Sequence, residues 1–261
     1  MLLTRNKKLR QLVALGETAN LLFLKLLLRN RRSAREFPGV VYREYLARVG
    51  RDLWRSASIF ELFPELAEKP PRILLEHLPG QGIHDAIDEL AYMALVARAL
   101  ASSLIFEIGT FRGRTALNFA LNSPPDCRVL TLDLPLEEAE AADLGPADRA
   151  LTQRRRVGQE YANKDVTHKI EQLYGDSRSF DFAPYAGQAD IVFIDGGHTY
   201  EIARSDTENA IRLCRPGGAI LWHDFGNYGD YADVVRAVLD CLPADEVYQI
   251  GSTQLALYRK P

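Results

Sequence analysis

Short apolar runs recur along the chain from about residue 104 onward, and each stops on an acidic residue or just before one. Leu104, Ile105 and Phe106 run into Glu107; residues 127–133 close on Asp133; residues 169–174 lead to Gly175 and Asp176. Residues 190–194 end at Asp195, and residues 219–222 end at His223 and Asp224. The run leading to Asp195 is continuous and apolar, as strands covered on both faces of a parallel sheet are. Between them lie helical patterns at 85–101, 115–121, 200–213 and 231–242, the first with Asp85 as expected N-cap and Asp88 and Glu89 in its first turn. Residues 247–250 and 255–258 flank Gly251-Ser252-Thr253 and read as a hairpin. The alternation predicts an α/β domain with helices on both faces of a mostly parallel sheet and an antiparallel strand near the C-terminus.

The first run organises the rest. Glu107 is followed by Gly109 and Gly113, four apart, and then by a helix start, which is a strand, a tight turn and a helix. Gly109 opens dihedrals closed to other residues, and Gly113 lets the helix approach its strand. With neither a third glycine nor a lysine, the turn fits neither the dinucleotide fingerprint nor a phosphate loop. A carboxylate at Glu107 suits a ligand bearing hydroxyls or positive charge. Asp133 follows Gly109 by one βαβ unit, which places it at the end of the neighbouring strand, within reach of ribose hydroxyls. In an open parallel sheet ligands bind beyond the C-terminal strand ends, so Asp176, Asp195, His198, His223 and Asp224 are expected to gather with these two. Two carboxylates and two imidazoles converging there suit a divalent metal or an acid/base pair.

Charge divides the chain. Residues 1–35 carry nine basic side chains against Glu17 alone, although the whole chain has a net charge of -3, so the body is acidic. The arm predicts a helix over 8–29, too interrupted by Glu17, Asn20 and Lys25 to span a bilayer, with no cleavage site after it. Packing on the body or on a second subunit is the commoner use of such a helix; a peripheral contact with the inner face of a membrane is the other reading. Residues 36–84, with Tyr42, Tyr45, Trp54, Phe60 and Phe63 among charges, read as a helical cover ending in a gate loop that holds His77 and His84. Residues 134–169 read as a lid insertion whose Arg154-Arg155-Arg156 triplet is solvated surface. The net charge excludes any general expectation of nucleic acid, and three widely spaced cysteines, Cys127, Cys214 and Cys241, suggest neither a disulfide framework nor a metal cluster. A reducing, cytoplasmic setting fits best.

The E-x-G-x-x-x-G turn at Glu107, Gly109 and Gly113 resembles motif I of class I S-adenosylmethionine (SAM) dependent methyltransferases, and the order of strand-end acids extends the likeness over residues 85–258. The run from Phe193 through Asp195, Gly196, Gly197 and His198, with Arg215-Pro216-Gly217-Gly218 and His223-Asp224, is similar to bacterial methyltransferases related to catechol and macrolide-sugar O-methyltransferases. The resemblance implies a Rossmann-like seven-stranded sheet. It implies SAM contacts from Glu107, Gly109, Thr110, Gly113 and Asp133, with Asp176 and Ser177 at the adenine and Asp195 nearby. It also implies magnesium or manganese on Asp195 and Asp224 and His198 as proton acceptor. His223 departs from the family's acid or amide; as a metal ligand it favours manganese, iron or zinc over magnesium, with Asn227 as a substitute oxygen donor. The acceptor implied is a small hydroxylated molecule such as a sugar or natural product. Two alternatives are a nucleotide-sugar or NAD enzyme on a similar sheet, and a non-catalytic SAM-binding scaffold attached through the basic arm.

Overall fold

A computed structural model of the chain describes residues 54–76, 87–139, 144–154, 156–226 and 231–261, together with Gly16. The basic arm, most of the gate loop with His77 and His84, Asp85, Arg155 and Asn227 lie outside the described residues. Elements are numbered in chain order among the described residues. β1 (Arg55–Ala57), α1 (Ile59–Leu62) and α2 (Glu65–Glu68) precede α3 (Ile87–Ala99). Then follow β2 (Leu104–Ile108), α4 (Arg114–Asn122), β3 (Arg128–Asp133), α5 (Leu136–Ala139), α6 (Pro146–Arg154), β4 (Ile170–Tyr174) and β5 (Ala189–Ile194). The chain closes with α7 (Tyr200–Leu213), β6 (Cys214–Trp222), α8 (Ala232–Cys241), β7 (Val247–Ile250) and β8 (Ala256–Arg259).

The strands form one eight-stranded sheet in the order β1-β7-β8-β6-β5-β2-β3-β4. β8 runs antiparallel to both its neighbours, and the other pairings are parallel. Alternate residues of the central strands feed two cores. Ile105, Val129, Ile191, Ala219 and Leu221 face α3 and α4, where Leu90, Met93, Leu117 and Phe119 are buried. Phe106, Leu130, Val192, Ile220 and Trp222 face α7 and α8, against Ala210, Leu213, Val235 and Val238. This two-sided cover is why the runs read as unbroken apolar stretches.

Two expectations change. The sheet has eight strands rather than seven, because residues 55–57, expected in a helical cover, pair with β7 instead. Arg215-Pro216-Gly217-Gly218, expected as a turn before the fifth strand, lies within β6: the register passes from Ala189 opposite Cys214 to Ile191 opposite Ala219, and the extra residues bulge out with Gly217 at φ +75°. Among the described residues no helix is long and apolar enough to cross a membrane, and the three cysteines are free thiols, Cys127 and Cys214 buried.

Candidate active site

The turn after β2 is held by backbone geometry that only glycine satisfies at its first position. Gly109 has φ +100°, and its amide donates to Leu132 O at 2.8 Å. A Cβ there would overlap the carbonyl of Asp195, because the Asp195 amide donates to Ile108 O and draws the two strand ends together. Gly113 (φ +85°) begins α4, and a Cβ on it would meet the Tyr161 ring at 2.5 Å. The turn is thus wedged between the end of β5 and the 158–161 segment, which also bonds to it through Gly158 N to Phe111 O and Glu160 N to Arg112 O.

Behind the turn runs a directed polar relay. The Thr131 hydroxyl donates to Glu107 Oε2, so its oxygen accepts from Thr110 at 2.6 Å, which in turn accepts from Gln172 Nε2 at 3.0 Å. Tyr161 completes the chain by donating to Gln172 Oε1 at 2.6 Å. Glu107 is 1% exposed, and burial raises its carboxyl well above the usual range. Asp133 takes the Phe111 amide on Oδ2 at 2.9 Å and the Leu134 amide on Oδ1 at 2.8 Å, so it fixes the turn at the same point where it meets the crevice. Phe111, Leu136 and Tyr174 leave large apolar surfaces exposed at the ends of β2, β3 and β4. Asp176 is gripped by Arg178, whose guanidinium lies 2.6 Å away and holds its carboxyl below the usual range, and Ser177 follows it in the same turn.

The second half of the site lies at the ends of β5 and β6. The His223 amide donates to Ile194 O at 3.0 Å, which continues the parallel ladder past both strands and sets Asp195, His223 and Asp224 side by side. Asp224 takes φ +58°, a left-handed turn that an aspartate tolerates. Its Oδ2 lies 2.8 Å from His198 Nε2 and 3.2 Å from His223 Nδ1. His198, just before α7, is held on three sides: Asp148 Oδ1 lies 2.6 Å from Nδ1, the Tyr231 ring sits 4.1 Å from its own, and Asp224 meets Nε2. His223 is backed by Glu89 of α3, at 3.2 Å from Nε2, and Glu89 also accepts the Gln254 amide.

Charges follow from these contacts. Burial disfavours the His198 imidazolium, yet the bonds to Asp148 and Asp224 outweigh it and push the ring up to about 10. Burial likewise opposes charge on His223, and Asp195, Asp224 and Glu89 overcome it, holding the ring well above its ordinary value. Burial works against ionisation of Asp224 too, but both histidines hold its carboxyl below the usual range. Asp195 is raised by burial.

Glu107, Gly109, Thr110, Gly113 and Asp133 therefore gather around one turn, and Asp195, His198, His223 and Asp224 around the adjoining strand ends. Single ligand atoms of Asp195, His198 and Asp224 lie within 4.8 Å of one another. His198 thus joins the two acids, whereas His223, 6% exposed, is turned toward Glu89. Asp148, Glu89, Tyr231 and Tyr161 join the site without being among the residues expected there. Glu89 carries the only sequence signal among them, an acid in the first turn of a helix entering the core, and that position is ordinary for capping.

Strand order, glycine turn and acid-tipped strand ends give the chain the Rossmann-like sheet of methyltransferase-type folds. Residues 106–225 match the family model described as a methyltransferase domain. No curated protein matches the sequence. Among solved structures, a Staphylococcus aureus protein assigned as a caffeoyl-CoA O-methyltransferase is 17% identical, covering 84% of this chain and 99% of its own at a TM-score of 0.50. The O-methyltransferase TomG of Streptomyces achromogenes, involved in tomaymycin synthesis and solved with SAM, is 20% identical, covering 81% and 99% at a TM-score of 0.49. An O-methyltransferase of Bacillus cereus solved with S-adenosylhomocysteine (SAH) is 19% identical, covering 84% and 96% at a TM-score of 0.47.

Proposed function

We propose that the enzyme transfers a methyl group from SAM to an oxygen of a small hydroxylated molecule, with a divalent cation held at the ends of β5 and β6. The observation that carries this reading is the meeting of Asp195, His198 and Asp224 beside the glycine turn. A turn closed around Gly109, a strand-end carboxylate at Asp133 and the apolar rim of Phe111, Leu136 and Tyr174 suit a nucleoside with a flat base. For a cation, the His198 Nε2 to Asp224 Oδ2 separation of 2.8 Å is close to the roughly 3 Å between neighbouring donors around an octahedral ion with bonds of about 2.1 Å. A mixed nitrogen and oxygen set favours manganese or iron over magnesium.

When bound, SAM supplies an electrophilic methyl on a sulfonium, and the cation supplies positive charge that makes an acceptor hydroxyl more acidic. The chain's own part is alignment and proton handling. Asp133 and the Gly109 turn would hold the nucleoside end of SAM. Asp195 and Asp224 orient the acceptor end, and His198, 15% exposed, is the histidine of the pair that reaches the crevice. A second reading keeps His198 as proton acceptor with the cation on the two acids alone. It is favoured by the Nε2 contact to Asp224, since neutralising that carboxylate loosens the proton shared between them. The 134–169 region, which carries Asp148, is read as a lid over the acceptor, and residues 1–35 as a subunit or membrane contact.

Isothermal titration with SAH, with and without manganese or magnesium, tests the proposal. Wild type is expected to bind SAH, and Asp133→Ala to bind about tenfold more weakly, the worth of one charge-assisted hydrogen bond. No SAH binding under any condition overturns it. His198→Gln separates the two roles: loss of manganese binding marks a ligand, and retained manganese with lost methyl transfer marks the proton acceptor.

A further inference from the structure

His198 and Asp148 are fifty residues apart, on α7's leading edge and on α6, yet Asp148 grips the histidine twice. Its Oδ1 lies 2.6 Å from ring Nδ1, and its Oδ2 accepts the His198 backbone amide at 3.0 Å. The carboxylate is itself fixed: Asp148 is 8% exposed, and its carbonyl accepts the Thr152 hydroxyl one turn along α6. One oxygen on the main chain and the other on the ring set both the residue's position and its ring orientation, and Tyr231 closes the face of the ring. A carboxylate behind Nδ1 keeps the proton on that nitrogen and directs Nε2 to the chemistry. Nε2 is the nitrogen that meets Asp224 at 2.8 Å.

We propose that Asp148 is the positioning residue of this site, fixing the tautomer and orientation of His198 and making the docking of α6 a condition for a competent acceptor end. The inference rests on His198 acting in the site and holds for either of its two roles. α6 lies in the segment whose sequence carries no interpretable motif, so this carboxylate is visible only through the fold. It also gives the lid a chemical consequence: with α6 displaced, His198 loses both of its bonds to Asp148.

The test uses the full chain with 15N-labelled histidine, saturated with SAH, the His198 signals being assigned by their loss in His198→Gln. Wild type is expected to show a slowly exchanging, downfield Nδ1 proton on His198, as for a short bond to a carboxylate. Asp148→Asn, which offers one acceptor oxygen in place of two, should shift that resonance upfield, and Asp148→Ala should abolish it. Manganese affinity, measured on the same samples, should fall roughly 10–100-fold in Asp148→Ala. SAH affinity, set at the other half of the site, should stay within about twofold, which reports that the variant is folded; if Asp148→Ala loses it, the near-isosteric Asp148→Asn decides. An unchanged Nδ1 resonance in a folded Asp148 variant overturns the proposal. Absence of manganese binding to wild type removes the metal reading alone, and the ring resonance then decides the role of Asp148 by itself.

Discussion

Gly109 and Gly187 both take positive φ, at +100° and +68°, but only the first has anything in front of it. A methyl group at 187 meets no atom within 4 Å, so Gly187→Ala carries only the backbone strain of a left-handed alanine, about 1–2 kcal/mol. At 109 the same methyl group would overlap the Asp195 carbonyl, and that carbonyl is backbone pinned by the Asp195 amide bond to Ile108 O. Gly109→Ala is therefore expected to cost roughly 3 kcal/mol or more in denaturant unfolding, and to lower SAH affinity even where the protein still folds. Equal costs at the two positions would mean that the close approach of the β2 and β5 ends is not what makes glycine necessary. The pair Gly109 and Gly113 was legible in the sequence because a turn between strand and helix has few solutions. The atom Gly109 must avoid was not, since Asp195 is remote in sequence and reaches it only through strand order.

β2, β5 and the later part of β6 stand out because burial on both faces removes polar interruptions, and α7 stands out by its amphipathic period, spanning the predicted residues, 200–213. β1 is hidden because a three-residue edge strand has too few positions to show a period, and α6, short and charged, is legible only as helix somewhere within 134–169, without bounds. The acid-tipped strand ends were legible as a set, but the clamp on His198 was not, because its key acid sits on α6. That clamp joins two elements through one titratable ring, and pH should expose it. The native ring is raised to about 10 from 6.5, so the folded protein retains a proton that the unfolded chain releases first. The resulting stabilisation is complete below about pH 6.5, declines from there to about pH 10, and is gone above it. Urea midpoints measured at pH 6, 8 and 10 should fall across this window, and His198→Gln should flatten that part of the decline. A profile identical in wild type and His198→Gln would show that the link between α6 and α7 adds no pH-dependent stability.

At the scale of the molecule, the chain before α3 completes the sheet at its β7 edge. β1 pairs with β7, Arg55 opposite Tyr248 through Ala57 opposite Ile250, so β7 is covered instead of presenting an open edge. Trp54, just ahead of β1, donates to Gln249 Oε1 at 3.2 Å and sets its ring edge-on to Phe225 with centroids 4.8 Å apart. Phe225 is fully buried and directly follows Asp224, and its amide is held by Gln254 O. The N-terminal segment thus buttresses the residue after the acid on which both histidines converge, and its contribution should be both structural and functional. Trp54→Ala removes a large buried ring and should cost about 3 kcal/mol in unfolding free energy. It should also weaken manganese binding through the loosened 224–225 turn, while leaving SAH affinity, governed at the ends of β2 and β3, near that of wild type. Trp54→Phe keeps the aromatic contact and loses the bond to Gln249, and should recover most of the stability and the metal affinity. If Trp54→Ala lowers stability but leaves manganese affinity unchanged, the N-terminal segment serves the sheet edge alone, and the left-handed turn at Asp224 is held by β6 and β8 without it.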